Sequence, residues 1–555
     1  MAADPPRPAP LPTLVGRSPR GGLRPGFPPG PAPAEVERLA GYLADESRLR
    51  GNAELVAFPE SEAEVAALLR EAGRRGAGVT VSAGRTGVVG GAVPLGGWVL
   101  SVERLDRVHG FTWHQQAGEF RLRVGAGLPL DRLQRAIRAG RFPFAEPPDG
   151  PTRALLEEFR PQSTRWAFPP DPTETTARLG GMVASNASGA RTFAFGPTRA
   201  HVRGLTVVLA DGTVLDLPRG TFMGWAGHGW TLRRPDGTTA HLPAPVYGLP
   251  PTKHAAGYFT SPGGSGPVDP VDLFIGSEGT LGVITEVEIA LRPLDGQEAE
   301  VVALFPGVGE ACRYVDLMRA HREEPGFAVE ALEYMDAGSL GLLQGAVLAG
   351  EVSNRLPGGA TVAVFTGLRL KKGVADPLEA VGKLVAEAGG NADDSLAGVG
   401  GVDIGRLKRI RHALPETINA LVARVRETHP GLTKLATDMA VPDRHLAEVM
   451  AVYDADLRAA GLPHYIFGHI GNNHLHVNIV PRDPDDYGRG RDLYAGFARR
   501  VVAMGGSVSA EHGIGKLKKY LMPAQFGPEA LDGMRRLRRA LDPDLRLGRG
   551  TLFDL

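Results

Sequence analysis

The chain has 555 residues, enough for two to four domains, and a 43% hydrophobic fraction that can bury large cores. Lys+Arg and Asp+Glu are 62 each, so no whole-chain field recruits nucleic acid or an acidic membrane surface. Cys312 is the only cysteine, which excludes an internal disulfide, a four-cysteine iron–sulfur cluster and zinc held by several thiolates. A metal in this chain would have to sit on His, Asp, Glu or Asn.

In chain order, residues 1–33 read as a Pro/Gly-rich disordered leader without the apolar core of a secretory signal. No stretch approaches the roughly 18 apolar residues of a membrane span, so the expected location is the cytoplasm. Ser61 and Glu64 form a capping-box pattern. Val65, Leu68, Leu69 and Ala72 then follow at helical spacing, and Gly73 closes the helix. A strand at Val79–Ser82 runs into AGRTGVVGGAVP. GLTVVLADGTVLDL is a hairpin turning at Asp211-Gly212. Residues 218–270, rich in Gly, Pro and His, read as a loop-like excursion from a compact core. DLFIGSEGTLGVITEVEIALRP returns to a glycine loop and a strand. From about residue 297, strands such as EVVALF and TVAVFTGLRL alternate with helices such as DPLEAVGKLVAEAG, which marks an α+β second domain. Pro528 to Leu541 reads as a last amphipathic helix.

Three loops concentrate glycine: AGRTGVVGG (83–91), RLGGMVASNASGARTFAFGPTR (178–199) and IGSEGTLG (275–282). A single glycine loop is ordinarily a turn. Three of them, each beside a strand and carrying Ser or Thr, suit backbone N–H groups that approach a phosphate-bearing cofactor. None is a GxGxxG dinucleotide fingerprint with its acidic partner, and none is a GxxxxGK[ST] loop, so NAD and nucleotide hydrolysis fit poorly.

The second informative region is FGHIGNNHLHVNIVP (467–481), followed by GGSVSAEHGIGK (505–516). Strand alternation puts His474, His476 and Asn478 on one face, with His469 in the preceding turn. Glu511 and His512 are expected at the end of a second short strand. A lone histidine is usually a satisfied polar residue. Three within eight positions, in a chain holding 15, together with an adjacent Glu-His pair, point to a site for a divalent first-row metal. Strand parity alone leaves His474 and His476 open as alternatives.

The order of AGRTGVVGGAVP, FPPDPTETTARLGGMVASNASG, FAFGPTR…GLTVVLADG and DLFIGSEGTLGVITEVE resembles the vanillyl-alcohol-oxidase/p-cresol-methylhydroxylase family, in its branch of D-lactate, glycolate and D-2-hydroxyglutarate dehydrogenases. The GHxGxxxxH…AEHGxG pattern of that branch matches the histidine region. The resemblance implies an α+β fold: a two-subdomain PCMH-type FAD-binding domain over 34–296, then a substrate and metal domain over 297–555. A C-terminal helical segment follows, and the last ~50 residues return toward the flavin. It implies that Gly84, Arg85, Thr86, Gly87, Gly90 and Gly91 surround the pyrophosphate. Pro170, Asp171, Thr173, Gly180, Gly181, Ser185, Asn186, Ser188 and Gly189 would line the flavin, and Glu278, Gly279 and Ile284 would face the adenosine half. The loop lacks the histidine of covalent flavoproteins, so non-covalent FAD is expected. Two departures stand out: Arg85, where the family loop is richer in glycine, and Gly548-Arg549-Gly550, where the family has Asn-Pro-Gly.

By the same resemblance His469, His476 and Glu511 hold the metal, zinc first, with manganese or iron as alternatives. His512 is the base, Asn478 helps hold substrate, and Arg411 in RLKRIRHALPETI forks onto its carboxylate. His474, where the family commonly has Asn, is either support for a ligand or an extra ligand. The implied reaction is FAD-dependent oxidation of a D-2-hydroxy acid, D-lactate first, with D-2-hydroxyglutarate or glycolate next. The electron acceptor would be a cytochrome, a quinone or an electron-transfer flavoprotein, with no nucleic-acid partner. Peripheral membrane attachment and a homodimer stay open. The rival readings are an ether-lipid synthase of the same superfamily and a non-catalytic flavin-bound electron-transfer subunit.

Overall fold

The computed structural model describes residues 10–28, 37–344, 362–373 and 376–555. Ser61 caps the helix Glu62–Arg74, its hydroxyl accepting from the Glu64 N–H at 3.2 Å. The Glu64 carboxylate turns to the Glu60 N–H and the Arg24 guanidinium. Val65, Ala66, Leu68, Leu69 and Ala72 are fully buried along one helix face. The first subdomain's sheet is parallel, in the order Leu55–Ala57, Trp98–Ser101, Val79–Ser82. Its central strand is buried on both faces, as a covered parallel strand must be.

The second subdomain is a five-stranded antiparallel sheet in the order Val108–His114, Glu119–Gly125, Val283–Ala290, Val202–Val208, Val214–Pro218. The last two strands are the hairpin expected around Asp211-Gly212, with Gly212 at φ +81. In VITEVEIA, Val283, Thr285, Val287 and Ile289 are buried while Glu286 and Glu288 alternate outward toward Arg123 and Arg121.

Two expectations need correction. Residues 10–28 of the supposed disordered leader are held in place. Thr13–Val15 pairs in parallel with Trp230–Arg233, Arg17 bridges Glu62 and Asp216, and Arg24 bridges Glu60 and Glu64. A composition argument for disorder misses arginines that find half-buried carboxylates on a neighbouring helix. The rest of the leader lies outside the described residues. The 218–270 excursion is not all loop either, because Gly224–Trp225 pairs with Pro267–Val268 and Trp230–Arg233 with Thr239–Leu242.

The second domain is built on an antiparallel sheet in the order Leu396–Val399, Gln297–Phe305, Val362–Leu370, Phe327–Met335, His464–His469, His474–Ile479, Leu435–Ala436. Met439–Ala440 also pairs with His474–Ile479. The last helix starts earlier than expected, at Met522, and bends at Gly527 before Pro528. The chain end then crosses back to the first subdomain: the Val79 N–H donates to Arg546 and the Gly548 N–H to Val79. One continuous apolar core runs from Leu14 to Phe553 through both halves. Among the described residues no helix is long and apolar enough to cross a membrane.

Candidate functional site

The hairpin His464–His469/His474–Ile479 assembles the histidines. Its register sets His469 opposite His474 and Phe467 opposite His476, and Asn473 takes a left-handed φ of +52 in the connection. His469 ends the strand itself, one step earlier than the turn in which it was expected. Strand alternation brings the His474 and His476 rings to 4.5 Å between centroids. Glu511 arrives from the 505–515 segment. That segment is not the expected strand: its one strand-like pairing is the bridge from Ser507 to Ala440, and the remainder is bend and loop. One ligand atom from each of His469, His474, His476 and Glu511 lies within 4.8 Å of all the others.

His469 and His476 each commit Nδ1 to a protein acceptor, which fixes ring orientation. His469 Nδ1 meets Glu333 Oε1 at 2.6 Å, leaving Nε2 at 3.0 Å from Glu511 Oε2. His476 Nδ1 donates to the Thr437 carbonyl at 3.0 Å. His474 Nε2 stands 2.9 Å from Asp438 Oδ1, and its Nδ1 faces Glu511 Oε2 at 3.5 Å. Asp438, wholly buried, also accepts from the Ser509 hydroxyl, Lys518 Nζ and the Glu511 and His512 N–H groups. Burial takes His474 down to about 4 and His476 well below the ordinary imidazole value, so both are neutral and carry a lone pair. Burial pulls His469 down too, but Glu333 and Glu511 outweigh it and hold it up at about 9. Burial pushes the Glu511 carboxyl upward, yet Lys253 and His469 win and keep it well below its usual range. Three imidazoles and a carboxylate, each oriented from behind, fit a divalent metal in chemistry and spacing.

His512 stacks on His476 with ring centroids 5.3 Å apart and 18° between planes, and its Nδ1 is 3.5 Å from Asp438 Oδ2. Burial lowers its pKa, with Asp438 opposing. Arg411 reaches the outer edge of the cluster, 3.8 Å from Glu333 Oε2. Asn478 is buried on the histidine face, and its amide donates to the His476 carbonyl at 3.0 Å rather than to the cluster. Three important residues went unread in the sequence. Glu333 lies in the strand Phe327–Met335 and Asp438 in the link between Leu435–Ala436 and Met439–Ala440, both far from the histidines in sequence. Lys253 comes from the 218–270 excursion and donates to Glu511 Oε2 at 2.9 Å. Only the two glutamates of FAVEALEYM and the single aspartate of TDMAV offered a signal for the first two.

The glycine loops close on one another beside this cluster. Gly84 abuts Ala177 and Arg178, and Gly181 abuts Ala83, so that an added Cβ would stand 3.3 Å and 3.1 Å from them. At Gly180 it would meet Ala126 at 2.6 Å, and at Gly189 the Asp171 carbonyl at 2.1 Å. The Gly276 and Glu278 N–H groups donate to Val183 and Ala184, joining the second and third loops. Ser185 donates to the Gly181 carbonyl, and Asn186, at φ +50, accepts from the Arg199 N–H. Lys516 Nζ donates to the Gly90 and Gly91 carbonyls. Pro170 is buried, Thr86 half-buried and Thr173 exposed, while Gly279 sits against Val81 and Ile284 pairs with Val207.

Two observations test this cradle for FAD. Gly87 faces space with no atom within 4 Å of an added Cβ, and the buried Ser188 hydroxyl has no protein partner among the described residues. Both fit a large polar group lying across the loops. Asp171 accepts from the Arg191 N–H at 3.1 Å, and Phe193 of the second loop packs so closely on Gly471 of the histidine hairpin that an added Cβ there would stand 2.8 Å from its ring, so the second loop adjoins the histidine cluster. Two of the named side chains already have protein partners. Arg85 turns to Tyr42, its guanidinium 4.0 Å from the ring, and lies 4.0 Å from Glu103. Glu278 accepts from the Ile514 and Gly515 N–H groups at 2.8 and 2.7 Å. Its carboxyl group thus braces the turn after His512.

Comparison with known proteins agrees with this division. Residues 53–154 and 160–218 match the FAD binding domain family, and residues 297–552 match the FAD linked oxidases, C-terminal domain. The chain is 28% identical over 527 residues to a D-lactate dehydrogenase of Anaerostipes hadrus, covering 92% of each. It is 29% identical over 522 residues to the mitochondrial D-2-hydroxyglutarate dehydrogenase of Bos taurus, covering 93% of this chain and 80% of that one. A solved alkyldihydroxyacetonephosphate synthase superposes over 96% of this chain and 88% of its own at a TM-score of 0.57 and 14% identity, a likeness of fold alone. With both halves matched in order, the chain belongs to the FAD-linked oxidase family.

Proposed function

We propose that the protein is a D-2-hydroxy acid dehydrogenase that converts D-lactate to its 2-oxo acid, with D-2-hydroxyglutarate and glycolate as the next candidate substrates. The observation that carries the reading is the convergence of three imidazoles and a carboxylate within 4.8 Å, with a further histidine stacked on them beside the glycine cradle. Bound FAD, held non-covalently by the loops at 83–91, 178–199 and 275–282, supplies the acceptor for the electrons leaving the substrate's C2–H bond. A divalent ion on His469, His476 and Glu511 supplies Lewis acidity toward the substrate's oxygens.

The remaining work belongs to the chain. His512 faces Asp438 with Nδ1, so Nε2 is the atom that takes the hydroxyl proton, and its lowered pKa keeps it unprotonated at neutral pH. Asp438 then stabilises the imidazolium, as a buried carboxylate does behind a general base. Arg411, at the outer edge of the cluster, supplies a guanidinium toward the substrate, and Asn478 holds the His476 strand from behind. The test is anaerobic mixing of the yellow protein with a panel of D- and L-2-hydroxy acids. The reading expects D-acids to bleach the flavin and L-acids to leave it oxidised. No bleaching by any D-acid in metal-replete protein would sink it.

A further inference from the structure

Lys253 lies where the 218–270 excursion meets the second domain, and contacts on both sides pin it there. Thr252 Oγ1 donates to the Val441 carbonyl at 3.2 Å, His254 Nδ1 meets Ser507 Oγ at 2.8 Å, and the Ala255 N–H donates to the Ser509 carbonyl at 2.9 Å. The side chain between them is 4% exposed. Its ammonium lies 2.9 Å from Glu511 Oε2 and 3.4 Å from His474 Nδ1. Burying an ammonium is costly unless it is paired, so a loop anchored to deliver one here needs a reason beyond packing.

The charges around the cluster supply that reason. Lys518 sits on Asp438 at 2.8 Å, Arg411 lies 3.8 Å from Glu333, and Lys253 sits on Glu511. On the hydroxy-acid reading, which this inference takes as given, Glu511 serves a divalent ion and its charge is met by that ion. Lys253 is then the surplus cation of a cluster whose other acids keep their partners. A compact ammonium with three donors on a flexible stem can keep one N–H on Glu511 and offer another to an incoming anion. We propose that Lys253 binds the carboxylate of the hydroxy acid. It stands at the opposite end of the chain of contacts Arg411–Glu333–His469–Glu511–Lys253 from the arginine that the sequence suggested for this role. The excursion thereby lends a substrate contact from the flavin half to a site otherwise built by the second domain.

The experiment titrates flavin absorbance of the holoprotein with oxamate, a carboxylate with no hydrogen to transfer, and with the uncharged D-lactamide. Lys253→Met is expected to weaken oxamate roughly 10- to 100-fold, the loss of one charge-assisted hydrogen bond. Lys253→Arg should stay within roughly threefold of wild type, because the charge is kept. D-lactamide should bind all three proteins alike. Unchanged oxamate affinity in Lys253→Met, equal weakening of oxamate and D-lactamide, or a loss carried by Arg411→Met instead would each overturn the proposal. If Lys253→Met does not retain FAD, Lys253→Gln against Lys253→Arg gives the same contrast. Wild-type protein that is reduced by no D-2-hydroxy acid refutes the functional reading and this inference with it, whereas reduction by D-acids with an oxamate affinity indifferent to Lys253 refutes the inference alone.

Discussion

The flavin cradle and the histidine cluster are built by opposite means. The cradle is made of backbone: glycines at 84, 180, 181 and 189 matter for the side chain they lack, because a Cβ would strike a neighbouring loop. The cluster is made of side chains whose second polar atoms are tied down by Glu333, Thr437 and Asp438. A backbone site tolerates exchange of individual residues as long as the path of the chain survives. A side-chain site tolerates little exchange, and its precision comes from residues distant in sequence. The two regions should therefore respond differently to substitution.

The largest separation is expected for the ligands. His469→Ala, His476→Ala and Glu511→Ala should each lose bound metal and slow turnover by roughly 10⁴-fold, the several kcal/mol that a Lewis acid contributes, while the protein stays yellow. Metal analysis and the visible spectrum of the same samples decide it. Full metal occupancy in all three variants would refute the assignment. Metal kept only in His476→Ala would make His474 the third ligand, as the placement of its Nδ1 in the cluster allows. Next comes His512→Ala, expected to keep metal and FAD and to slow anaerobic flavin reduction by roughly 10²–10⁴-fold, as for a lost general base. Wild-type reduction should speed up with pH through an apparent pKa that the variant lacks. A variant reduced at wild-type speed with the same pH profile would send the proton elsewhere.

What could be read from the sequence follows the same division. Glycine spacing marked the loops that pack on one another, and strand alternation marked the shared face of His474 and His476, because both signals are local. The partners that orient the cluster are not local: Glu333 is 136 residues from His469, and Lys253 is 258 residues from Glu511. Within the chain only the folded sheet joins them. The 505–515 segment misled for a related reason. Its alternating small and apolar residues look like a strand, but Asp438 draws the Ser509, Glu511 and His512 donors to itself and leaves no regular ladder. The leader misled through composition, which does not register that Arg17 and Arg24 find acids on the helix Glu62–Arg74.

A smaller effect tests the residues behind the ligands. Glu333→Gln should weaken metal binding by about 10- to 100-fold without changing its stoichiometry, the usual consequence of losing the group that orients a ligating histidine. The pH dependence should change with it. Burial alone would lower the His469 pKa, but Glu333 and Glu511 raise it to about 9, so below that pH the imidazole must give up a proton to bind metal. Wild-type metal affinity should therefore rise with pH, by up to about tenfold per unit, and level off near pH 9. In Glu333→Gln the plateau should begin at lower pH. Chelator competition between pH 6 and 9.5 measures both curves. Identical curves would show that Glu333 does not govern the histidine.

The smallest effect probes the cradle at Arg85. Its φ of +59 is the left-handed backbone that glycine adopts without strain, and a side chain there costs about 1–2 kcal/mol. The guanidinium offsets part of this by lying 4.0 Å from the Tyr42 ring, a contact of about 0.5–1 kcal/mol at a partly exposed site. The approach to Glu103, also 4.0 Å with both side chains partly exposed, adds at most about 1 kcal/mol. Arg85→Gly removes strain and contact together, so stability should stay within about 1 kcal/mol of wild type, with FAD retained. Arg85→Ala removes the contact and keeps the strained Cβ, so it should be the less stable variant by about 1 kcal/mol. Thermal unfolding followed by flavin fluorescence ranks the three proteins. Alanine as stable as glycine would mean that the left-handed backbone carries no strain here. Release of FAD from Arg85→Gly would return the guanidinium to the pyrophosphate, and the cradle would then depend on a side chain after all.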